Sequence, residues 1–144
     1  MKVSDPLSVA GPFFKCIGEV TEKSVDNAKV VFRRTRPYKL PSNGLKFLKD
    51  LKEDDSYSYP SGHAAYGAAV GLVLAEMIPE ERDKIAKRVQ DYGFSRMVAG
   101  VHFRSDVYAG EIAGAVIAMS LFKSSEFREA FDSAKGELRK ALGY

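Results

Sequence analysis

Three short stretches of the chain carry side chains that are suited to phosphate chemistry. They are KVVFRRTRP at 29–37, PSGH at 60–63 and SRMVAGVHFRSD at 95–106, and they hold both histidines, several basic residues and one aspartate. Phosphoryl transfer spreads negative charge over three oxygens. A protein must therefore supply fixed donors around them, a nucleophile on one side and an acid on the leaving-group side. The residue types in the three stretches meet each of these needs.

Lys29, Arg36 and Arg96 are the predicted cationic donors to a phosphate group. An arginine side chain offers a planar fork that can hold two phosphate oxygens at once. Lys29 and Arg36 are seven residues apart in the sequence. That separation is nearly two helical turns, so both side chains would point the same way if one helix extended over both.

The PSGH stretch predicts the N-terminus of a helix that can bind an anion. Backbone N–H groups at such an end point outward and favour negative charge. We therefore expect the amides of Ser61 and Gly62, together with the Ser61 hydroxyl, to donate to a phosphate. Gly62 has no side chain, so the backbone can approach the ligand closely.

The two histidines suit two different tasks. His102 and Asp106 have the spacing of a nucleophile and its orienting carboxylate, which would hold one ring N–H and leave the other nitrogen to attack phosphorus. His63 would then protonate the departing alkoxide. Because these tasks require opposite protonation states, we expect a bell-shaped pH dependence. The cations and helix-end amides can supply the electrostatic stabilisation, so neither a metal nor a cofactor is expected.

The three stretches fill every position of the patterns K-x6-RP, PSGH and SR-x5-H-x3-D. In this the chain resembles the type 2 phosphatidic acid phosphatase and vanadium haloperoxidase superfamily. From about residue 58 to residue 142 it is also similar to the bacterial class A nonspecific acid phosphatases, including the segment GLVLAE that follows PSGH. The resemblance implies a helical, metal-independent phosphatase that vanadate inhibits and that is located in the periplasm.

The resemblance also implies a role for each matching residue. His102 would form a phosphohistidine, His63 would be the proton donor and Asp106 would orient the nucleophile. Lys29, Arg36 and Arg96 would bind the phosphate. The expected function is a metal-independent acid phosphatase that hydrolyses small organic phosphate monoesters through a phosphohistidine intermediate.

Several alternative functions stay open at this point. One is a phosphate- or vanadate-binding truncated homologue with little catalysis, and another is a vanadate-dependent haloperoxidase. A lipid phosphatase is disfavoured because the two most apolar stretches, at 64–78 and 107–122, are shorter than the roughly 20 residues that span a bilayer, and each contains an acid. A nucleic-acid-binding module would rest only on the basic run at 33–36 and a net charge of +3.

The residues before Lys29 are few compared with what the resemblance implies. Fewer than thirty precede it, whereas the class A acid phosphatases have several further N-terminal helices there. A truncated product and a homo-oligomer in which a second copy supplies the missing surface are both open.

Residues 1–20 do not show the pattern of a signal peptide. Cys16 is the only cysteine, which excludes an intrachain disulfide and a cysteine zinc cluster.

The elements that must position these residues are helices. We expect an all-α fold, a compact helical bundle of the acid phosphatase type that is short at its N-terminus, with one domain over residues 1–144. Periodicity and capping residues predict five helices. The first lies at about 19–34 and ends near Arg36, the second runs from PSGH to about 77, and the third starts at Pro79. The fourth covers 107–122 and is capped by Ser105, and the fifth covers 125–142. Ile85, Val89, Tyr92 and Arg96 should share one face of the third helix.

The remaining notable residues are expected to have structural tasks. Residues 37–59 should form a long loop, with a turn at 42–44, a short helix at about 45–51 and an acidic run at 53–55. Gly110 and Gly114 should allow two helices to approach closely. Tyrosines 57, 59 and 66 are interpreted as packing residues, and arginines 33, 34 and 104 as surface residues.

Overall fold

The computed structural model describes residues 7–41 and 56–144 and contains only helices and their connections in those ranges. The five α-helices are α1 at Ala10–Phe32, α2 at Gly62–Met77, α3 at Arg82–Val98, α4 at Arg104–Leu121 and α5 at Ser125–Leu142. Short 3-10 turns occupy Pro37–Lys39 and Pro79–Glu81. The all-α prediction is confirmed. The expected turn at 42–44, helix at 45–51 and acidic run at 53–55 lie outside the described residues.

Helix α2 is the centre of the bundle and contacts each of the other four α-helices. Its N-cap is Ser61, whose Oγ accepts a hydrogen bond from the Ala64 N–H at 3.3 Å. Side chains are small along much of the helix, and eight of its residues are buried on more than one face. A helix that is apolar all round belongs in the interior, which explains why α2 is enclosed by its neighbours.

Helices α2 and α4 approach each other through glycine, as the GxxxG spacing predicted. A Cβ added at Gly110 would contact the Ser61 carbonyl oxygen and lie 3.0 Å from the Cβ of Ala64, and one at Gly114 would overlap the Ala65 carbonyl oxygen. Only glycine permits this separation. The close approach fixes the start of α4 beside the start of α2.

Helix α3 also packs on α2, through the face that the sequence predicted. A Cβ added at Gly71 would meet the Val89 side chain, and one at Gly67 would lie 2.9 Å from Cδ1 of Tyr92. The α2 glycines therefore make room for large α3 side chains. This packing places Tyr92 next to the N-terminal half of α2.

The hydrophobic core lies at the end of the bundle away from the PSGH stretch. Helices α1, α2 and α5 supply most of it, including Phe13, Ile17, Val73, Met77 and Phe131. The ring of Phe13 lies 5.1 Å from that of Phe127 and 6.4 Å from that of Phe131, between ring centroids. Burial of these aromatic side chains is the main force that holds α5 against α1.

The predicted bounds of α1 are wrong at both ends. The helix begins at Ala10 rather than Glu19, because Glu137 of α5 accepts the N–H groups of Val9 at 3.0 Å and Ala10 at 2.7 Å. It ends at Phe32 because Arg33 adopts a left-handed conformation with φ of 48°. Lys29 and Arg36 therefore do not share a helix, and the expectation based on helical spacing fails.

The start of α4 also differs from the prediction. The helix begins at Arg104 instead of Val107, and Ser105 does not cap it. Asp106 has that role, since its Oδ2 accepts the Phe103 N–H at 2.8 Å. In contrast, α2 and α5 end where the sequence predicted, and Pro79 opens the 3-10 turn that leads into α3.

Across the two described ranges, no single helix has the length and apolarity to cross a membrane. Helices α4 and α5 satisfy that test only as a pair, and a bend of 100° separates their axes.

Candidate active site

A cavity of about 490 Å³ opens where the last turns of α1 meet the first turn of α2. Five of the eight predicted site residues line it. They are Lys29, Arg36, Gly62, His63 and His102. The other lining residues come mainly from α1 and from aromatic side chains: Gly18, Glu22, Val25, Asp26, Ser56, Tyr66 and Tyr92. Residues that are distant in sequence therefore share one concave surface, which is the usual form of a small-molecule site.

Lys29 is buried in the last turn of α1, although its ammonium group reaches the cavity. Its Nζ lies 3.4 Å from Ser56 Oγ and 3.6 Å from Asp26 Oδ1. The α2 N-terminus is also close, because a Cβ built on Gly62 would lie 3.9 Å from the same Nζ. An ammonium group and helix-end amides thus face one space.

Arg36 lies in extended backbone and its side chain is 5% exposed. Its Nε donates to the Ser56 carbonyl oxygen at 2.9 Å, and its Nη2 donates to Ser56 Oγ at 2.7 Å. On the other side its Nη1 donates to the Val101 carbonyl oxygen at 3.2 Å and lies 3.3 Å from His102 Nε2. The guanidinium is therefore held rigidly beside the histidine ring.

Ser61 supports the end of α2 and does not line the cavity. Its N–H donates to the Asp106 carbonyl oxygen at 2.9 Å, and its Oγ accepts the Ala64 N–H. The expectation that the Ser61 amide is available for an anion is therefore not met. Among the described residues, the first-turn amides of Gly62 and His63 have no hydrogen-bond acceptor, so they are the helix-end donors that remain.

His63 lies at the mouth of the cavity, and its ring centroid is 6.0 Å from that of Tyr92. Partial burial of the ring lowers the pKa of His63 below its ordinary value, and the positive charges of Arg96, His102, Lys29 and Arg36 lower it further. Both causes disfavour the imidazolium form. A bound dianion would reverse the second cause.

His102 is buried just before α4, with 4% of its surface exposed. Its Nε2 faces Arg36, and its Nδ1 lies 3.6 Å from Asp106 Oδ2. That distance is longer than a hydrogen bond, and in the part of the chain that the structure describes Nδ1 has no other partner. The ring is thus oriented with one nitrogen toward the carboxylate and the other toward the cationic side of the cavity.

Asp106 is fully buried, and three donors hold its carboxylate. Ser58 Oγ donates to Oδ2 at 2.5 Å, the Phe103 N–H donates to Oδ2 at 2.8 Å, and Arg34 Nη1 donates to Oδ1 at 2.7 Å. Burial alone would raise the pKa of Asp106, but the neighbouring His102 ring, these hydrogen bonds and the Arg34 charge lower it below its ordinary value. The carboxyl group is therefore an anion over the usual pH range.

Sequence reasoning did not identify Arg34 and Ser58 as partners of Asp106. The Arg34 side chain is partly exposed, as expected of a surface residue, but its guanidinium is paired with the buried Asp106 carboxylate. A pattern that could have located Arg34 is present. The residue before a proline prefers extended backbone, and in extended backbone residues i and i+2 point to the same side. In the structure both Arg34 and Arg36 bond to the segment from Val101 to Asp106. Tyr66 also lines the cavity, although it was expected only to pack.

Arg96 is the predicted phosphate donor that the structure does not bring into the cavity. Its guanidinium carbon lies 5.7 Å from the centroid of the Tyr92 ring, and its Nε donates to Ser95 Oγ at 3.2 Å. The side chain lines a separate surface hollow with Asp91 and Phe94, and its charge still acts on His63. A change of side-chain rotamer would be needed for direct contact with a ligand in the cavity.

The sequence profile of the PAP2 superfamily matches residues 13–130, a range that contains all eight predicted site residues. The chain belongs to the PAP2 superfamily. Within that superfamily it is 37% identical over 125 residues to a non-specific acid phosphatase of Providencia stuartii, covering 86% of this chain and 50% of the relative.

Two further relatives of this PAP2 chain show the same pattern. A non-specific acid phosphatase of Salmonella typhimurium is 37% identical over 115 residues, covering 78% of this chain and 45% of the relative. An acid phosphatase of Zymomonas mobilis is 37% identical over 118 residues, covering 81% and 45% respectively. The chain therefore spans about half the length of the relatives it matches.

Proposed function

We propose that the chain is a metal-independent acid phosphatase that hydrolyses small phosphate monoesters through a phosphohistidine on His102. The observation that carries the proposal is the placement of the His102 ring, with Nε2 beside the buried Arg36 guanidinium and Nδ1 facing the ionised Asp106. The names of the relatives, which are acid phosphatases, support the same reaction.

The first chemical step transfers the phosphoryl group to the protein. His102 Nε2 attacks phosphorus, the bond from phosphorus to the ester oxygen breaks, and His63 gives its proton to the departing oxygen. Lys29, Arg36 and Gly62 line the cavity. Their side-chain and amide N–H groups would donate hydrogen bonds to the phosphate oxygens. Arg96 would join them after turning from its position over Tyr92.

The second step returns the protein to its starting state. Water attacks the phosphohistidine, the bond from phosphorus to His102 Nε2 breaks, and His63 accepts the proton that water loses. Inorganic phosphate leaves with no net change in the side chains. Asp106 stabilises the imidazolium that exists while the phosphoryl group is attached, because its carboxylate lies next to Nδ1.

The mouth of the cavity favours substrates whose leaving group carries no further negative charge. Glu22 and Asp26 are exposed on α1 at the rim, and Tyr66 and Tyr92 add two aromatic side chains there. The carboxylates repel an additional phosphate, while the tyrosines offer apolar contact to a small organic group. This supports phosphate monoesters of small alcohols or phenols as the substrate class.

Substitution of the nucleophile tests the mechanism. His102→Ala should abolish turnover of a chromogenic phosphate monoester and should remove the acid-labile phosphoprotein that rapid quenching traps with labelled substrate. Lys15→Ala, an exposed substitution on α1, is the matched control and should behave as the wild type. Substantial turnover by His102→Ala would contradict the proposal.

A second candidate function follows from the position of Arg96, which lies over the Tyr92 ring and does not line the cavity. With this predicted phosphate donor outside the cavity, the remaining donors would bind phosphate or vanadate without turnover. Isothermal titration with vanadate beside the turnover assay distinguishes the two, since the acid phosphatase should show both vanadate binding and catalysis.

We also propose that vanadate competes with substrate, that the protein functions in the periplasm and that it can form a homo-oligomer. The last proposal is supported by exposed apolar side chains on the outer face of α4, at Tyr108, Ile112, Val116 and Met119. Light scattering of the purified chain tests it, and a stable, active monomer would contradict it.

A further inference from the structure

We infer that Arg34 is a positioning residue that holds the Asp106 carboxylate in the orientation that His102 needs. The inference rests on the proposed phosphatase function. It concerns a residue outside the three sequence patterns, because K-x6-RP specifies Lys29 and Arg36 but leaves Arg34 unspecified.

Three contacts fix the Arg34 guanidinium. Its Nη1 donates to Asp106 Oδ1 at 2.7 Å and to Ser105 Oγ at 2.6 Å. Its guanidinium carbon lies 4.1 Å from the centroid of the Phe103 ring. A planar cation that stacks on an aromatic ring and bonds at its edge has little freedom left. The Arg34 side chain is therefore a rigid hydrogen-bond donor to the Asp106 carboxylate.

The two oxygens of the Asp106 carboxylate have different partners. Oδ1 is bound by Arg34, whereas Oδ2 accepts from Ser58 Oγ and the Phe103 N–H and faces His102 Nδ1. The bond to Arg34 on the far oxygen prevents rotation that would turn Oδ2 away from the histidine. The Ser58 N–H also donates to the Arg34 carbonyl oxygen at 2.8 Å, so the two side chains that hold the carboxylate are joined through the backbone.

Arg34 lies outside the substrate cavity. Its side chain is 37% exposed and borders a separate surface hollow with Phe103, Ser105 and Tyr108, while Asp106 between them is fully buried. Loss of Arg34 should therefore change the orientation of the nucleophile without removing a phosphate donor. That separation predicts an effect on kcat and not on KM.

The charges that face Asp106 are Arg34 and, on the other side, His102 with Arg36 behind it. Removal of the Arg34 charge raises the pKa of Asp106, because that charge is one of the causes that hold it low. The carboxylate would then be lost at a higher pH, and the acid limb of the pH profile should shift toward neutrality.

The experiment compares Arg34→Gln and Arg34→Lys with Arg33→Gln in the full chain. Arg33 is the matched control, since it is adjacent and exposed and its Nε donates to the nearby Val30 carbonyl oxygen. Arg34→Gln should lower kcat by about 10- to 100-fold, the usual effect of losing a group that orients a reactive side chain. KM and vanadate affinity should change by less than about twofold, and the acid limb should move to higher pH. Arg34→Lys should restore part of kcat, and Arg33→Gln should match the wild type.

The outcomes separate this inference from the proposed function. A wild-type chain without turnover overturns both. If the wild type is active and Arg34→Gln matches Arg33→Gln in kcat and pH profile, only the role of Arg34 is overturned. The same holds if Arg34→Gln loses kcat and vanadate affinity to an equal extent. If Arg34→Gln fails to fold, Arg34→Lys decides: an intermediate kcat with unchanged KM supports the role, and wild-type kcat with an unchanged pH profile overturns it.

Discussion

The two histidines differ because their surroundings differ. His63 is exposed at the mouth of a cavity that contains Lys29 and Arg36, and positive charge surrounds it. His102 is buried, with a carboxylate on one side of its ring. Positive charge around His63 lowers its pKa, and a bound anion would offset that charge and raise the pKa again. In the proposed phosphatase reaction, this arrangement would couple proton donation by His63 to the presence of the phosphate substrate.

A pH profile tests this coupling. The pKa of His63 in the free protein is lowered from the ordinary histidine value of about 6.5. Since His63 must be protonated to act as the acid, kcat/KM should fall as pH rises through that lowered pKa, and the optimum should lie on the acid side of neutrality. In the complex the phosphate charge raises the pKa of His63, so the basic limb of kcat should lie at higher pH than that of kcat/KM.

The control for this prediction is His63→Gln, which should retain vanadate binding but lose the basic limb. A kcat/KM that stays constant from pH 5 to pH 8 would contradict the assignment of His63 as the acid.

The residues of the site could be predicted to different extents. Lys29, Arg36, His63 and His102 were placed together on the basis of the three patterns, and the structure does bring them to one cavity. Helical spacing does not bring Lys29 and Arg36 together, because the left-handed Arg33 ends α1 between them. Arg34 was missed because its partner Asp106 is 72 residues away, and a basic run alone does not distinguish a buried ion pair from a solvated end.

At the level of elements, the site depends on how closely α2 and α4 pack. The Ser61 N–H bonds to the Asp106 carbonyl oxygen, which joins the PSGH turn to the first turn of α4. Gly110 and Gly114 allow this contact because they have no side chains. The separation of the two helices therefore determines the distance between His63 and His102.

Gly114→Ala should destabilise the protein strongly. A Cβ at that position overlaps the Ala65 carbonyl oxygen and lies 2.9 Å from the Ala68 Cβ, so the backbones must move apart. Overpacking of this kind costs about 1–3 kcal/mol. Chemical denaturation followed by circular dichroism measures the change in free energy of unfolding.

Gly136→Ala is the control for that experiment. Gly136 is exposed on α5, and a Cβ there meets nothing within 4 Å. Because alanine favours helix over glycine, this variant should be about 0.5–1 kcal/mol more stable than the wild type. Equal destabilisation by the two substitutions would show that the contact between α2 and α4 is not close.

The helix bounds illustrate what local sequence can and cannot predict. Helix α5 was predicted correctly because its apolar residues recur at helical spacing, which is a local pattern. In the structure Ser124 caps its start and the left-handed Gly143 ends it. The start of α1 was not predicted correctly, because its amides bind Glu137, which follows Ala10 by 127 residues. An end that is capped by a distant side chain leaves no pattern in the adjacent sequence.

At the level of the whole molecule, Glu137 joins the first described helix to the last. Its carboxylate accepts from Ser8 Oγ as well as from the Val9 and Ala10 amides. The Ala10 amide is the largest cause that lowers the pKa of Glu137 below its ordinary value. The helix that covers the core through Phe131, Ala134 and Leu138 therefore also fixes the start of α1, through Glu137.

Glu137→Gln should lower the Tm at neutral pH. A carboxyl group with a lowered pKa in the folded state stabilises the fold above its unfolded pKa, and that contribution is lost as pH falls through the folded value. The difference in Tm between wild type and variant should thus be largest near neutrality and should vanish in acid. Differential scanning fluorimetry across pH measures it, with Glu129→Gln on the exposed face of α5 as the control.

The backbone bond from the Ser58 N–H to the Arg34 carbonyl oxygen closes the chain at the base of the segment between them. The entropy of closing a loop rises slowly with its length, by about 0.6 kcal/mol for each doubling. Insertions and deletions between Arg36 and Ser56, which both line the cavity, are therefore cheap, and they leave Arg34, Ser58 and Asp106 in register. A lineage can exchange the residues between Arg36 and Ser56 to acquire new substrates while it inherits the chemistry unchanged.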